Sequence, residues 1–144
     1  FKYILNESEA GKKAQAALKN KLDKGFKSLK DKEKKLQAEE KKIIEQKKLI
    51  KPEEYKKKVK SLRASVSSLQ KERNKLLKDV ADQRSKARGT LLKNLNPIIK
   101  EYMQEKKIRM VVDKKSLLLA DENLDITKEI LARLNKKIKS ININ

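Results

Sequence analysis

The stretch "LIKPEEY", Leu49–Tyr55, interrupts a long run of charged, helix-forming sequence. Proline fits the first turn of a helix and disfavours helical backbone in the residue before it, so Pro52 predicts that one helix ends and another begins here. Glu53 and Glu54 follow at once, where the dipole of the new helix favours negative charge. We therefore expect two helices that meet at this proline.

Apolar residues recur every seven positions on both sides of this break. Before it, the repeat consists of Leu22, Leu29, Leu36, Ile43 and Ile50. After it, one heptad position holds Val59, Val66, Val80 and Ala87, and the position three residues later holds Leu62, Leu69 and Leu76. In the first helix, the position four residues after each of these apolar residues is mostly charged, so the apolar stripe is narrow. A narrow stripe predicts a thin coiled-coil seam and not a face on a broad core.

The two repeats are mirror images about residue 51. The pairs that lie at equal distances from it are Ile43 with Val59, Leu36 with Val66, Leu29 with Arg73, and Leu22 with Val80. A chain folded back here would bring the members of each pair level. This favours an antiparallel hairpin over a single long helix or a parallel rod. We expect its first helix to run from about Glu7 to about Ile50.

Three short apolar stretches near the two ends of the sequence predict β-strands. These are residues 1–5, 108–112 and 117–120, and the last two flank the polar stretch Asp113–Ser116 as in a β-hairpin. So small a sheet has open edges and little core, so we expect copies of the chain to pair through it. The residues expected at this contact are Tyr3, Ile108, Met110, Val111, Val112, Leu117, Leu118 and Leu119.

Polar residues and one proline predict the remaining helix boundaries. Asn6 stands three residues before Glu9, which is the spacing of a capping box. Pro97 should kink the second helix or restart it after Asn96. Asp125 should cap a last helix, whose apolar face carries Ile130, Leu134, Ile138 and Ile141.

Together these patterns predict an α+β chain that is mostly α. We expect a long antiparallel helical-hairpin arm, a coiled coil of residues 12–89 with its tip near 51–52. It should project from a small β-rich oligomerisation body made of residues 1–11 and 90–144.

The composition narrows the range of functions. The 144 residues contain 40 Lys and Arg against 20 Asp and Glu, with no His or Cys. Residues 12–60 alone hold 19 Lys and 8 acids, giving +11. Such a field attracts nucleic acid, anionic lipid or acidic protein. Zinc sites and histidine catalysis are excluded, and there is no Gly-rich phosphate loop, so we expect neither an enzyme nor a cofactor. For Asp113, Asp121 and Asp125, turn and cap roles are favoured over a metal site.

The sequence resembles the Skp/OmpH family of periplasmic chaperones over essentially its whole length. The resemblance rests on "YILNESEAGKKAQAAL" (Tyr3–Leu18), the turn "KPEEY", and "IRMVVDKKSLLLAD" followed by "LDIT". It implies a homotrimer whose three helical tentacles enclose a cavity, and ATP-independent holding of unfolded outer-membrane proteins in the periplasm. It also implies a signal peptide upstream of Phe1 and contact with anionic lipid or lipopolysaccharide, for which no residues can be aligned.

Three functional classes remain open at this point: a holdase chaperone, a basic coiled coil that binds nucleic acid, and a structural scaffold. No zipper-type basic region or helix-turn-helix is present, so specific nucleic-acid binding is not expected. For the chaperone, we assign client capture to the arm residues Lys34, Lys35, Lys41, Lys42, Lys47, Lys48 and Tyr55.

Overall fold

Residues 1–142 are described by a computed structural model, and they are helical with no β-strand. The four α-helices are α1 (Lys2–Glu7), α2 (Glu9–Gln46), α3 (Pro52–Glu105) and α4 (Thr127–Lys137). Two single turns of 3₁₀-helix, Lys114–Ser116 and Glu122–Leu124, lie between α3 and α4. The α+β class with a β-rich body is therefore wrong, whereas the two long helices that meet before Pro52 are present.

The first predicted strand, residues 1–5, lies in α1. Ile4 and Leu5 are both buried, in a cluster that includes residues of α4, whereas Phe1 and Tyr3 are exposed. A strand turns successive side chains to opposite faces, so it could not bury two neighbours against one surface. Five residues of alternating sequence were too few to distinguish a strand from a helix.

The predicted hairpin of residues 108–120 is also wrong. The backbone is extended at Asp113, Leu117 and Asp121, but the two apolar runs form no ladder with each other. Local hydrogen bonds set the geometry instead: Asp113 accepts one from the Lys115 amide at 3.1 Å, and Asp121 accepts one from the Asn123 amide at 2.9 Å. Side chains that bond to nearby amides compete with sheet formation in this way.

The start of α2 is fixed by Ser8 and not by Asn6, which lies within α1. Ser8 is completely buried, and its Oγ accepts a hydrogen bond from the Gly11 amide at 3.1 Å and donates one to the Leu5 carbonyl at 3.1 Å. A Cβ at residue 11 would overlap that same carbonyl oxygen, so only glycine fits this close approach. The Glu9 amide is satisfied from α4, where Asn135 Oδ1 accepts its hydrogen bond at 2.9 Å.

Helix α3 runs without interruption through Pro97, so the predicted restart after Asn96 is wrong. It ends in a Schellman motif, in which the Ile108 amide donates to the Met103 carbonyl at 2.8 Å and the Lys107 amide donates to the Gln104 carbonyl at 3.3 Å. Lys107 occupies the left-handed position of this motif with φ 54°, where glycine is usual.

The chain divides into two compact units. The terminal unit consists of Phe1–Leu18 and the residues from Asp82 onward, and the central unit is Lys19–Ala81. The predicted division into functional domains at residues 12 and 89 stays a prediction.

The terminal unit contains the larger core. Its cluster of buried residues consists of Ile4, Leu5, Ala10, Leu91, Leu95, Ile98, Tyr102, Ile130 and Leu134. The α4 face was predicted correctly, and Asp125 accepts the Thr127 amide hydrogen bond at 3.0 Å, as expected of a cap. Arg133 of α4 donates two hydrogen bonds to Glu105 of α3, and its guanidinium lies 4.9 Å from the centre of the Tyr102 ring. These charged contacts add to the apolar packing of α4 on α3.

In the central unit, α2 and α3 run antiparallel, as the mirror pattern predicted. Lys32 forms an ion pair with Glu72, and Lys58 Nζ donates to Gln46 Oε1 at 2.7 Å. Gly25 allows the Leu76 side chain to pack directly on α2, because a Cβ there would lie 2.8 Å from Leu76 Cδ1. Few apolar side chains are buried between the two helices in this unit, as expected from the narrow stripe.

Candidate functional site

The six lysines assigned to capture lie along α2 and the turn after it. All of Lys34, Lys35, Lys41, Lys42, Lys47 and Lys48 are exposed. None of them forms an ion pair with any residue of the described range 1–142. Their charge is therefore directed to solvent and is available to an approaching anion.

The whole central unit is cationic. Lys19–Ala81 contains 22 Lys and Arg and 10 Asp and Glu, a net charge of +12. Charge of one sign on two adjacent helix surfaces creates a potential that attracts acidic polymers from solution, and salt weakens this attraction.

Tyr55, the remaining residue assigned to capture, is half-buried in the first turn of α3. The Lys47 ammonium lies 6.0 Å from the centre of its ring, which is at the outer limit of a cation–π contact. Tyr55 therefore packs at the turn, and only part of its ring is open to another molecule.

Sequence reasoning missed a set of apolar side chains that the central unit leaves in solvent. The exposed fraction is 82% for Leu49 and 59% for Ile44. The other members of the set are Phe26, Val66 and Leu77. Ile44 and Leu49 stand outside the heptad positions, and this was the signal in the sequence that could have found them. Val66 gave no such signal, because the mirror pattern placed it in the seam opposite Leu36.

An open groove lies where that pairing was expected. Ser65 is half-buried in place of Val66, and its short side chain does not fill the space beside Leu36. The groove has a volume of about 290 Å³ and is lined by Lys32, Lys35, Leu36, Ser65, Ser68, Leu69 and Glu72.

In the terminal unit, most of the residues assigned to oligomerisation are exposed. Leu118 and Leu119 are fully or almost fully exposed, and the others in solvent are Tyr3, Met110, Val112 and Leu117. Ile108 and Val111 are half-buried, and Ile108 packs against the terminal core. Leu124, which the sequence did not single out, is 72% exposed and enlarges this apolar surface.

Several carboxylates of the terminal unit have structural partners. Hydrogen bonds from Thr127, and then from Lys114, lower the pKa of Asp125 to about 2. The hydrogen bond from Arg133 likewise lowers the pKa of Glu105. The turn and cap roles expected of Asp113, Asp121 and Asp125 are confirmed. Within residues 1–142, no group of acidic side chains could hold a metal ion, and no helix is long and apolar enough to cross a bilayer.

Comparison with known proteins identifies the family. A family model described as "Outer membrane protein (OmpH-like)" matches residues 1–134 of the chain. The chain belongs to the OmpH-like family. This confirms the resemblance that the sequence motifs carried.

Two further comparisons extend over nearly the whole chain. An uncharacterized protein of Aquifex aeolicus (strain VF5) is 30% identical over 135 residues, which are 92% of this chain and 81% of the relative. A crystal structure from Caulobacter crescentus CB15, described as an OmpH-like outer membrane chaperone, has a TM-score of 0.91 and 24% identity. The match covers 97% of this chain and 83% of the Caulobacter chain, and it shows that the two proteins share a fold.

Membership in the OmpH-like family has three consequences. The family is non-enzymatic, which confirms that prediction. It supports a chaperone role, and it indicates a location outside the cytoplasm. The lysines and apolar residues above are therefore interpreted as a binding surface and not as catalytic groups.

Proposed function

We propose that the chain is an ATP-independent holdase that acts in the periplasm as a homotrimer and keeps unfolded outer-membrane proteins from aggregating. The client lies in a cavity between the central units of the three copies. The observation that carries the proposal is the surface of Lys19–Ala81, where lysines without ion pairs stand beside exposed Leu and Ile side chains.

The lysines account for the capture step. A net charge of +12 on the central unit attracts acidic segments of an unfolded chain over distances comparable to the Debye length, about 10 Å at 0.1 M salt. Electrostatic attraction of this kind raises association rates more than it raises affinity. The assigned residues are Lys34, Lys35, Lys41, Lys42, Lys47 and Lys48, with Tyr55 as an aromatic contact.

The exposed apolar side chains account for retention. Each contact with a client residue is weak, but several contacts on one chain act together because the second binding event is intramolecular. Ile44, Leu49 and Val66 offer such contacts without a shape-matched pocket.

The exposed apolar surface of the terminal unit supports the proposed assembly. Leu118, Leu119 and Leu124 lie close together in sequence and are mostly or fully exposed. Apolar surface of this kind marks interaction sites in soluble proteins. We propose that the copies of the homotrimer bury these residues against one another, together with Met110 and Val112.

Anionic lipid is a second proposed partner. Leu49 is 82% exposed in the turn between α2 and α3, and Lys47, Lys48 and Lys51 stand beside it. An apolar side chain flanked by lysines suits the interface of an anionic membrane. The chain should co-sediment with phosphatidylglycerol vesicles but not with phosphatidylcholine vesicles. Leu49→Ser should weaken its binding to the phosphatidylglycerol vesicles. Equal sedimentation with both vesicles, or no effect of the substitution, would contradict this contact.

Charge reversal tests the capture step. Changing Lys34, Lys35, Lys41, Lys42, Lys47 and Lys48 together to Glu should slow the association of a urea-diluted outer-membrane barrel at low salt, measured by stopped-flow fluorescence. The control changes the same six residues to Arg, which keeps the charge and the helix propensity. Added salt should slow association of the parent more than it speeds release.

Two outcomes would contradict this mechanism. If the Glu variant associates as fast as the Arg variant at low salt, attraction by these lysines is not the capture step. If the parent holds no client and instead retards duplex DNA in a salt-sensitive way, the nucleic-acid interpretation replaces the chaperone one.

A further inference from the structure

The groove beside Leu36 opens where the seam between the two helices lacks a large apolar side chain. The mirror pattern would place Val66 against Leu36, but Val66 is 51% exposed and Ser65 is turned inward. Because serine is much shorter than valine or leucine, the seam is left open where Ser65 and Ser68 lie beside Leu36 and Leu69.

The groove combines an apolar floor with a charged rim. Leu36 and Leu69, both half-buried, supply the floor. On the rim, Lys32 is paired with Glu72, whereas Lys35 forms no ion pair with any residue of the described chain. An occupant that complements this rim carries an apolar side chain and, close to it, a negative charge for the Lys35 ammonium.

The groove is open to solvent and has a volume of about 290 Å³. It suits one or two side chains of an extended peptide that passes over the central unit. The hydroxyl groups of Ser65 and Ser68 line the same space and are able to bond to the backbone of such a segment.

We propose that this groove is the principal retention site for clients, and that it takes an extended segment of unfolded polypeptide with an acidic residue next to an apolar one. The inference rests on the proposed holdase function and names the part of the client surface that contributes most to residence time. Other exposed residues of the central unit then contribute smaller, interchangeable contacts.

Filling the groove is the first test. Ser65→Leu and Ser68→Leu, singly and together in the full-length chain, place apolar side chains where the client's would lie. The control is Ser67→Leu, which adds the same side chain to α3 at an exposed position outside the groove. A labelled, urea-unfolded outer-membrane barrel should dissociate about three- to tenfold faster from the filled variants, since one buried side chain is lost among several contacts.

Two lysines of α2 supply the second test, which holds even if the filled variants fold poorly. Lys30 and Lys35 are both exposed on α2, but only Lys35 lines the groove, and Lys30 is not among the residues assigned to capture. Lys35→Ala should speed client release by about two- to fivefold, as expected for one exposed ion pair of up to about 1 kcal/mol, and Lys30→Ala should leave it unchanged. Circular dichroism should show the same helix content for both.

The results distinguish this inference from the function on which it rests. Equal release from Lys30→Ala and Lys35→Ala, together with release from Ser65→Leu and Ser68→Leu that matches Ser67→Leu, would show that the groove is not the retention site while leaving the holdase function intact. A parent chain that retains no unfolded barrel at all would overturn both.

Discussion

At the scale of single residues, Ser8 determines where α1 ends and α2 begins. It ends α1, caps α2 and lies fully buried against the Leu5 carbonyl. Sequence reasoning chose Asn6 because its spacing to Glu9 matched a capping box. Both residue types are good caps, so local sequence could not decide between them. Gly11 decides, because only glycine permits α2 to start this close to α1.

The first prediction concerns this cap. Ser8→Ala should lower the free energy of unfolding by about 1–2 kcal/mol, because the Gly11 amide loses its partner in a buried site. Urea denaturation at a fixed protein concentration measures this change. Ser28→Ala, at an exposed position within α2, is the control and should be neutral or slightly stabilising. Equal stability of Ser8→Ala and the parent would show that the cap contributes nothing.

The second prediction concerns Lys107 at the end of α3. Its φ of 54° is costly for a residue with a Cβ, by about 1–2 kcal/mol. Lys107→Gly removes that strain and adds some entropy to the unfolded chain, so we expect a net stabilisation of about 0.5–1 kcal/mol. The control is Lys106→Gly, whose backbone is not left-handed, and it should destabilise. A loss of stability in Lys107→Gly would contradict the conformation described for this residue.

At the scale of elements, the long helices were predictable, but not every side chain that fills the seam between them. Pro52 and the seven-residue repeat are local signals, and α3 begins at Pro52 as expected. A repeat of seven residues does not specify which of two neighbouring residues faces the partner helix. Ser65 is half-buried where Val66 was expected, and this leaves the groove beside Leu36.

The predicted strands failed for a related reason. Apolar runs as short as residues 108–112 and 117–120 have no periodicity long enough to define a strand. Asp113 and Asp121 then impose turns through their own side-chain hydrogen bonds. Most of the apolar residues in these runs are exposed, but the sequence assigned them the wrong secondary structure.

The third prediction follows from the different packing of the two units. In the central unit only Ile43 and Val80 are buried hydrophobics among its described residues, whereas Leu91, Leu95 and Ile98 of α3 enter the terminal core. Amides of residues 30–75 should therefore exchange with deuterium faster than those of residues 91–102, because local opening there exposes less apolar surface. Uniform protection along α3, measured by mass spectrometry, would contradict this account.

At the scale of the whole molecule, the apolar surface of residues 110–124 and the cationic central unit require an explanation together. The first is proposed to hold three copies in one particle, and the second to hold the client. Neither needs a cofactor. The charge of +20 on a chain of 144 residues also keeps such particles apart from one another, although they expose apolar side chains.

The fourth prediction tests the assembly. Leu118→Asp combined with Leu119→Asp should convert the proposed trimer to monomers, because each carboxylate would be buried without a partner at the proposed interface. Sedimentation velocity measures the change in mass. The control replaces the exposed Lys114 and Lys115 of the adjacent turn by aspartate and should remain trimeric. A parent chain that sediments as a monomer, or a doubly substituted leucine variant that sediments as the parent does, would remove this surface from the interface.

The central claim is that the chain holds unfolded outer-membrane proteins without nucleotide, and one measurement tests it most directly. A urea-unfolded outer-membrane barrel is diluted into nucleotide-free buffer, and light scattering is followed with increasing amounts of the chain. Polylysine at equal total charge is the control for attraction alone. The account predicts that scattering is suppressed once about three chains are present per client, that added ATP changes nothing, and that polylysine does not protect. Scattering that is the same with and without the chain, or suppressed only when ATP is present, would contradict it.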